Sequence, residues 1–162
     1  VCGSSAEFLN LAEAVFSLVI LMGKLKANAK LLENVKLVTD NGRGHNVICD
    51  LSEASGGTNA GPSPLELALM ALAGCGVIIY ADVCKNSKIE PGNIDISVEA
   101  EKTPNSSVIS NVTMKVNITS KARKGLVEAA WRRTEANCPV MFVYKDSIPV
   151  KVEAQIHSIA SA

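Results

Sequence analysis

The alternation of hydrophobic and polar residues changes period several times along the chain, and each change marks an element. Residues 14–22, AVFSLVILM, form the most hydrophobic run, inside a stretch over 5–23 that reads as a helix capped by Ser4 or Ser5. The run is too short to cross a bilayer as a helix. Glu7 and Glu13 precede it, where a signal peptide would carry basic residues. It is expected to be a buried or dimer-packing helix. From Leu25 the period falls to two: Leu25, Ala27, Ala29 and Leu31 alternate with polar residues, as in a strand with one covered face. Glu33–Asn34 turns the chain into NVKLVTDN, and Asn41–Gly42 turns it again into GHNVICDL. A three-stranded meander is predicted.

Residues 52–63, SEASGGTNAGPS, are a loop by composition. A well-specified helix start follows, with Ser63 as N-cap, Pro64 at the first position and Glu66 at the third, the pattern of a capping box. The run LELALMALAGCGVIIYADVCK is apolar almost all round after Glu66, which predicts a helix buried on all sides. Gly74 and Gly76 flank Cys75 there and suggest close packing or a bend, since each weakens a helix by roughly 1 kcal/mol.

Pro91–Gly92 marks a turn. NIDISVEAEK and VISNVTMKVNITS read as strands joined by a turn at 103–107. Residues 121–136 read as a helix with Leu126, Ala129, Ala130 and Arg133 near one face. Pro139 suits the first turn of a further short helix, and SIPVKVEAQI reads as a closing strand. The coarse order is α–βββ–α–ββ–α–α–β. Segregated helices and meanders define an α+β fold with antiparallel sheets rather than a doubly wound one.

The chain of 162 residues suits one core-forming domain. Sixteen basic residues balance sixteen acidic ones, so no net field draws the protein to nucleic acid or to an anionic membrane. Aromatic residues at 4% do not supply base-stacking platforms. The basic runs at Lys121, Arg123 and Lys124, and at Arg132 and Arg133, read as solvated helix faces.

Candidate chemistry rests on cysteine. Cys2, Cys49, Cys75, Cys84 and Cys138 are odd in number and loosely spaced, with no CxxC and only His45 and His157 as histidines, which does not make a zinc cluster. A reducing cytoplasm fits better than a secreted disulfide scaffold. Cys75 lies mid-helix, where a cysteine is either a small core hydrophobe or a reactive thiol. Cys138 precedes a helix start, where unpaired backbone N–H groups favour a thiolate. Cys84, nine residues beyond Cys75, is about half a turn out of phase. Cys49 reads as a core residue of its strand, and Cys2 as incidental.

With the segments NGRGHNVICD (41–50), GGTNAGPSPLELALMALAGC (56–75) and NCPV (137–140) in view, the sequence resembles the OsmC/Ohr family of organic hydroperoxide reductases, in its OsmC-like branch. The likeness runs from about Leu25 to Ile156, and divides the chain into a hydrophobic helical extension over 1–24 and an OsmC-like domain over 25–162.

The resemblance implies an OsmC-like fold built as an intertwined homodimer, with a long buried central helix and active sites at the subunit interface. It implies Cys75 as the peroxidatic thiol and Cys138 as the resolving thiol, with an organic hydroperoxide as substrate. A dithiol reductant, in the best-studied branch a protein-bound lipoyl group, would regenerate the pair. No metal, flavin or other cofactor is implied, and no nucleic acid or membrane insertion. Arg43 in N-G-R-G-H matches the family's arginine, whose guanidinium fork would stabilise the thiolate and orient the peroxide. Family enzymes carry a positioning glutamate directly after the helix-starting proline. Leu65 holds that place here, and Glu66 follows, turned by about 100° and about 13.5 Å along the axis from Cys75. His45 reads equally as a substrate contact or a strand-surface residue. The displaced glutamate keeps an alternative open: a non-catalytic dimeric protein that binds a small apolar ligand or senses redox state on the same fold.

Overall fold

A computed structural model of the chain describes residues 25–103 and 109–145. The expected N-terminal helix, Cys2, most of the 103–107 turn, the closing strand and His157 lie outside the described residues. The fold is α+β with antiparallel sheets and one long helix, as the sequence predicts, and it divides into two compact units at Pro64/Leu65.

The first unit is the predicted meander, β1 (Asn28–Glu33), β2 (Lys36–Asp40) and β3 (Asn46–Cys49), in the order β1-β2-β3. Leu31 pairs with Leu37, and Leu37 with Cys49, so one column of apolar residues crosses the sheet. Asn34, with φ 48°, makes the first turn, and a side-chain amide tolerates that left-handed backbone. The Asn41–Gly42 signal opens a longer loop than a two-residue hairpin. Asp40 Oδ1 accepts the Gly42 N–H at 2.7 Å and Asn41 Oδ1 accepts the Arg43 N–H at 3.0 Å, so side chains close the loop over residues 41–45.

After β3 the chain enters the glycine-rich loop, and Asp50 organises it. Asp50 is buried. Its carboxylate accepts the Leu51 N–H at 2.8 Å, the Thr58 N–H at 2.9 Å, the Thr58 hydroxyl at 2.7 Å and the Ala60 N–H at 3.1 Å. The loop folds back so tightly that a Cβ on Gly57 would lie 2.0 Å from the Leu51 carbonyl oxygen, and one on Gly61 2.2 Å from that of Ile48. Both clashes are with backbone, which is why those positions require glycine.

The second unit pairs α1 (Pro64–Asn86) with the hairpin β4 (Asn93–Lys102) and β5 (Ile109–Thr119) and with α2 (Lys124–Asn137) and α3 (Pro139–Lys145). Ile94, Ile96, Val98 and Ala100 face Ile118, Val116, Met114 and Val112 in register, and this apolar face of the ribbon is covered while the alternate residues are exposed. α1 buries Leu72, Gly76, Tyr80 and Cys84, a stripe at four-residue spacing. It is therefore not covered all round: Met70 and Ile78 are 56% and 69% exposed, so the apolar composition exceeds what this chain's own packing uses. At Gly76 α1 comes close to the hairpin, since a Cβ there would lie 2.8 Å from Ile96 Cδ1.

The buried face of α2 is turned by one position from the predicted one. Ala130 and Thr134 are buried, with Val127 and Trp131 packed beside them, while Leu126 and Arg133 are exposed. Trp131 carries the largest apolar surface on the helix and takes the inward place, with Val127 one turn before it on the same face, and Thr134 can be buried because its hydroxyl donates to the Ala130 carbonyl at 3.0 Å.

The loop anchor sets a pH dependence. The Thr58 hydroxyl bond, followed by the backbone donors, holds the Asp50 carboxyl well below the usual carboxylate range. A depressed folded pKa contributes stability above the unfolded value, and that stability is lost as the pH falls through the folded value. Asp50→Asn is expected to lower the denaturation midpoint at neutral pH. The gap from the native protein should narrow below about pH 4. Urea melts of both proteins from pH 7 to pH 2.5 check this, and a pH-independent gap would exclude the carboxylate as the anchor.

Candidate functional site

The site is built around one short connection. α2 ends at Cys138, whose N–H donates to the Thr134 carbonyl at 2.9 Å. Its own carbonyl accepts the Phe142 N–H at 3.3 Å and so opens α3. Pro139 at the first position of α3 needs no partner for a missing N–H. The residue is thus fixed from both sides, and its side chain is fully buried against Leu72 and Met141. Cys75 approaches from the middle of α1, half-buried, at the edge of that helix's covered stripe.

The two thiols meet. Cys138 Sγ donates to Cys75 Sγ at 3.0 Å, and both are free thiols. The backbone N–H of Val140, in the first turn of α3, also donates to the Cys75 sulfur. The helix-start donor that the sequence assigns to the thiol of Cys138 therefore serves its partner. Burial, and then the adjoining Cys138 sulfur, raise the Cys75 thiol above its ordinary value, and the Val140 N–H opposes them.

The other candidates are placed as follows. Glu66 lies in the first turn of α1 and lines a shallow cavity of about 250 Å³ with Leu69, Met70, Ala73 and Val98. Along the unbroken helix it is about 13.5 Å from Cys75. Arg43 stands exposed in the first unit, between Gly42 and Gly44, which both have positive φ. His45 shares that loop, with its Nδ1 3.0 Å from Asn41 Nδ2. Cys49 is buried on β3.

Cys84 is buried apart from the thiol pair, in a second cluster with Tyr80 and Ala130. Desolvation, and then the bond to Cys84, push the Tyr80 hydroxyl up to about 12. That hydroxyl donates to the Pro91 carbonyl at 3.1 Å. Among the described residues no group of three or more His, Cys, Asp or Glu side chains is placed to hold a metal. An open cavity of about 580 Å³ has Leu72 and Met141, the residues packed on Cys138, in its wall together with Met114, Trp131 and Tyr144.

Two features had no usable signal in the sequence. The Val140 amide is a backbone group, and only the N-C-P-V spelling hints that a helix start lies beside a cysteine. Asp50 precedes a glycine-rich loop containing Thr58, a pattern that reads as a loop anchor only once the loop's return path is known.

The fold, the glycine loop and the cysteine-bearing helix define an OsmC-like domain, and the chain belongs to the OsmC-like protein family, whose model matches residues 57–153. An OsmC-like protein from Mycoplasma pneumoniae shares the fold with a TM-score of 0.68 at 15% identity, over 76% of this chain and 89% of that one. An organic hydroperoxide resistance protein from Elizabethkingia anophelis superposes with a TM-score of 0.59 at 16% identity, over 76% of this chain and 89% of its own. For the organic hydroperoxide resistance protein OsmC from Legionella pneumophila the TM-score is 0.55 at 18% identity, over 79% of this chain and 93% of that one. No curated protein matches the sequence.

The raised Cys75 thiol gives a direct expectation. The thiolate is the nucleophile, so alkylation of Cys75 by iodoacetamide should speed up with pH through and beyond the ordinary thiol value near 8.5. Peptide mapping of timed samples between pH 6 and pH 10 checks this. A rate already flat by pH 7 would mean that the thiolate is far more stabilised than the surroundings of Cys75 in its unit indicate.

Proposed function

We propose that the protein is a thiol-dependent reductase of organic hydroperoxides, acting as a homodimer in a reducing cytoplasm. The observation that carries this reading is the 3.0 Å contact between a half-buried and a fully buried thiol in an OsmC-like fold. The Cys75 thiolate attacks the outer peroxide oxygen, the O–O bond breaks, and the alcohol leaves with a proton. Cys75 is left as a sulfenic acid. The Cys138 thiol then condenses with it, releasing water and forming a disulfide. A dithiol, for which a lipoyl protein is the model, returns both residues to thiols.

The contact supports this order because the resolving sulfur already touches the sulfur it must trap. Overoxidation of Cys75 then competes with a reaction between neighbours. The apolar surroundings of Cys75, with Ile79, Val98 and Val140 packed on the same cluster, favour a peroxide that carries a hydrocarbon group over hydrogen peroxide. The exposed stripe at Met70 and Ile78 supports the dimer, because an apolar helix face of that kind is stable when a second copy covers it. The family resemblance assigns Arg43 to the thiolate and the peroxide, and Glu66 to positioning that arginine.

The upward shift of the Cys75 thiol is the observation that favours a second reading, a binding or redox-sensing protein on the same fold in which peroxide reacts slowly.

The deciding experiment is peptide mass mapping after one equivalent of cumene hydroperoxide, with and without a dithiol. A reversible Cys75–Cys138 linkage is expected. Cys75 found only as sulfinic acid would defeat the two-cysteine cycle. Turnover should vanish in Cys75→Ser, and Cys138→Ser should consume one equivalent and stop. Arg43→Ala should lower kcat/KM for cumene hydroperoxide by about 10²-fold. Equal rates with hydrogen peroxide would remove the organic-substrate preference.

A further inference from the structure

Two thiols in contact can do more than form a disulfide. We infer that Cys75 and Cys138 together chelate a trivalent, pyramidal centre, arsenic(III), taken up as arsenous acid. The site is that of the proposed cycle, but the binding needs no oxidant and does not depend on that cycle.

Geometry selects the ligand. The two sulfurs stand 3.0 Å apart. A structural zinc ion requires four donors, and among the described residues no group of three or more His, Cys, Asp or Glu side chains is placed to hold a metal. A linear ion such as silver(I) needs its two sulfurs on opposite sides. With bonds of about 2.3 Å, the zinc–thiolate length, they would stand about 4.6 Å apart. The pair is not free to part that far. Cys138 is fully buried on Leu72 and Met141, with its N–H and carbonyl bonded into α2 and α3, and α1 is held close to the hairpin at Gly76. A pyramidal centre holds its ligands nearly at right angles, which for bonds of the same length puts the sulfurs about 3.3 Å apart. That requires a shift of only a few tenths of an ångström, and thiolate sulfur is the ligand that soft centres prefer.

Charge agrees with geometry. Arsenous acid is neutral at neutral pH and meets the two side chains as thiols. Each S–H proton leaves with one hydroxide as water, and two arsenic–sulfur bonds replace two arsenic–oxygen bonds. Arsenic stays trivalent, nothing is oxidised or reduced, and the third hydroxide remains on arsenic. The adduct is therefore neutral, and no charge is created among Ile79, Val98 and Val140. Silver(I) on two thiolates would leave a net negative charge in the same surroundings. Arsenous acid is comparable in size with a small peroxide, so it asks for no access beyond what the proposed reaction asks of Cys75. Both sulfurs are occupied in the adduct, which makes arsenite an inhibitor on the hydroperoxide-reductase reading.

The test mixes the reduced full-length protein with one equivalent of sodium arsenite and weighs it intact by mass spectrometry. A gain of one As(OH) unit for two hydrogens lost is expected. Alkylation with iodoacetamide at about pH 9, followed by peptide mapping, locates the adduct on the native chain. Cys75 should be alkylated without arsenite, protected with it, and exposed again by 2,3-dimercaptopropanol. Equal alkylation with and without arsenite overturns the inference.

Variants test the chelate. Cys75→Ser and Cys138→Ser, each with unchanged circular dichroism, should bind arsenite at least about 10²-fold more weakly than Cys84→Ser, because the second bond then loses its high effective concentration. Undiminished affinity in either overturns the inference, as does a gap of the same size for silver(I), which would show that the sulfurs part freely. Cumene hydroperoxide on a separate sample keeps the two readings apart. A Cys75–Cys138 disulfide in a protein that does not take up arsenite overturns this inference alone. Arsenite held by both cysteines with no such disulfide supports it and overturns the two-cysteine cycle.

Discussion

The contact between the sulfurs of Cys75 and Cys138 depends on how two helices are held, and most of the second unit serves that purpose. Cys138 is placed by the α2–α3 junction, where Thr134 accepts its N–H and Phe142 donates to its carbonyl. Cys75 is placed by α1, whose distance from the β4–β5 ribbon is set by Gly76 against Ile96. A side chain at position 76 would push α1 away from the ribbon or turn Ile96 aside. Trp131 adds a common wall, since it packs against both apolar clusters and lies with its ring centroid 6.4 Å from that of Tyr80. A 3.0 Å contact between side chains sixty-three residues apart therefore reflects close packing at three helices and a hairpin.

How much of this was legible in the sequence follows from which forces act locally. The strands of the second unit were, because a covered face imposes a period of two, as in Ile94, Ile96 and Val98; those of the first unit were legible from composition and turns, since all six residues of β1 are exposed and no covered face forms there. The start of α1 was, because Ser63, Pro64 and Glu66 are chosen by backbone geometry within one turn. The covered face of α2 was not, because it is decided by what lies opposite. Leu126 is as apolar as Val127, but only Val127 packs against the cluster of Tyr80, Cys84 and Ala130. For α1, composition overstated burial, since an apolar residue such as Ile78 says only that something is to be covered, not that this chain covers it. The two cysteines were legible as candidates and their proximity was not. Nothing within a few residues of either encodes a contact across the fold, and the family resemblance supplied what local pattern could not.

The electrostatics of the site contain a tension. Burial keeps water from competing for the sulfurs and holds them in contact, yet it raises the Cys75 thiol, whose charged form is the reactive one. The Val140 N–H offsets part of that cost at a fixed position. Such a donor requires no side-chain ordering and is not screened as a surface lysine would be. Its cost is a helix start placed directly over the sulfur, which is what Pro139 provides. Asp50 in the first unit shows the same device carried further: four donors surround one carboxylate, and the charged form wins outright although the group is buried. The comparison shows what the count of donors decides. One amide moderates a buried anion, and several fix it.

The same reasoning separates the two cysteines of the proposed cycle from the others without appeal to sequence position. Cys84 is as buried as Cys138 and also bonded to a neighbour, but that neighbour is Tyr80. A phenol held near 12 keeps its proton, and it offers no second sulfur with which an oxidised thiol could condense. Cys49 is likewise sealed in its strand. Burial alone therefore makes a cysteine inert, and two buried sulfurs apart from each other would be inert twice over. Reversible chemistry requires one sulfur at an edge, to meet the oxidant, and one behind it, to protect the first. In the proposed cycle Cys75 at the margin of α1 and Cys138 locked between α2 and α3 fill those two places. An exchange of their burial, with Cys138 outside and Cys75 within, would keep the contact but close the path by which any substrate arrives.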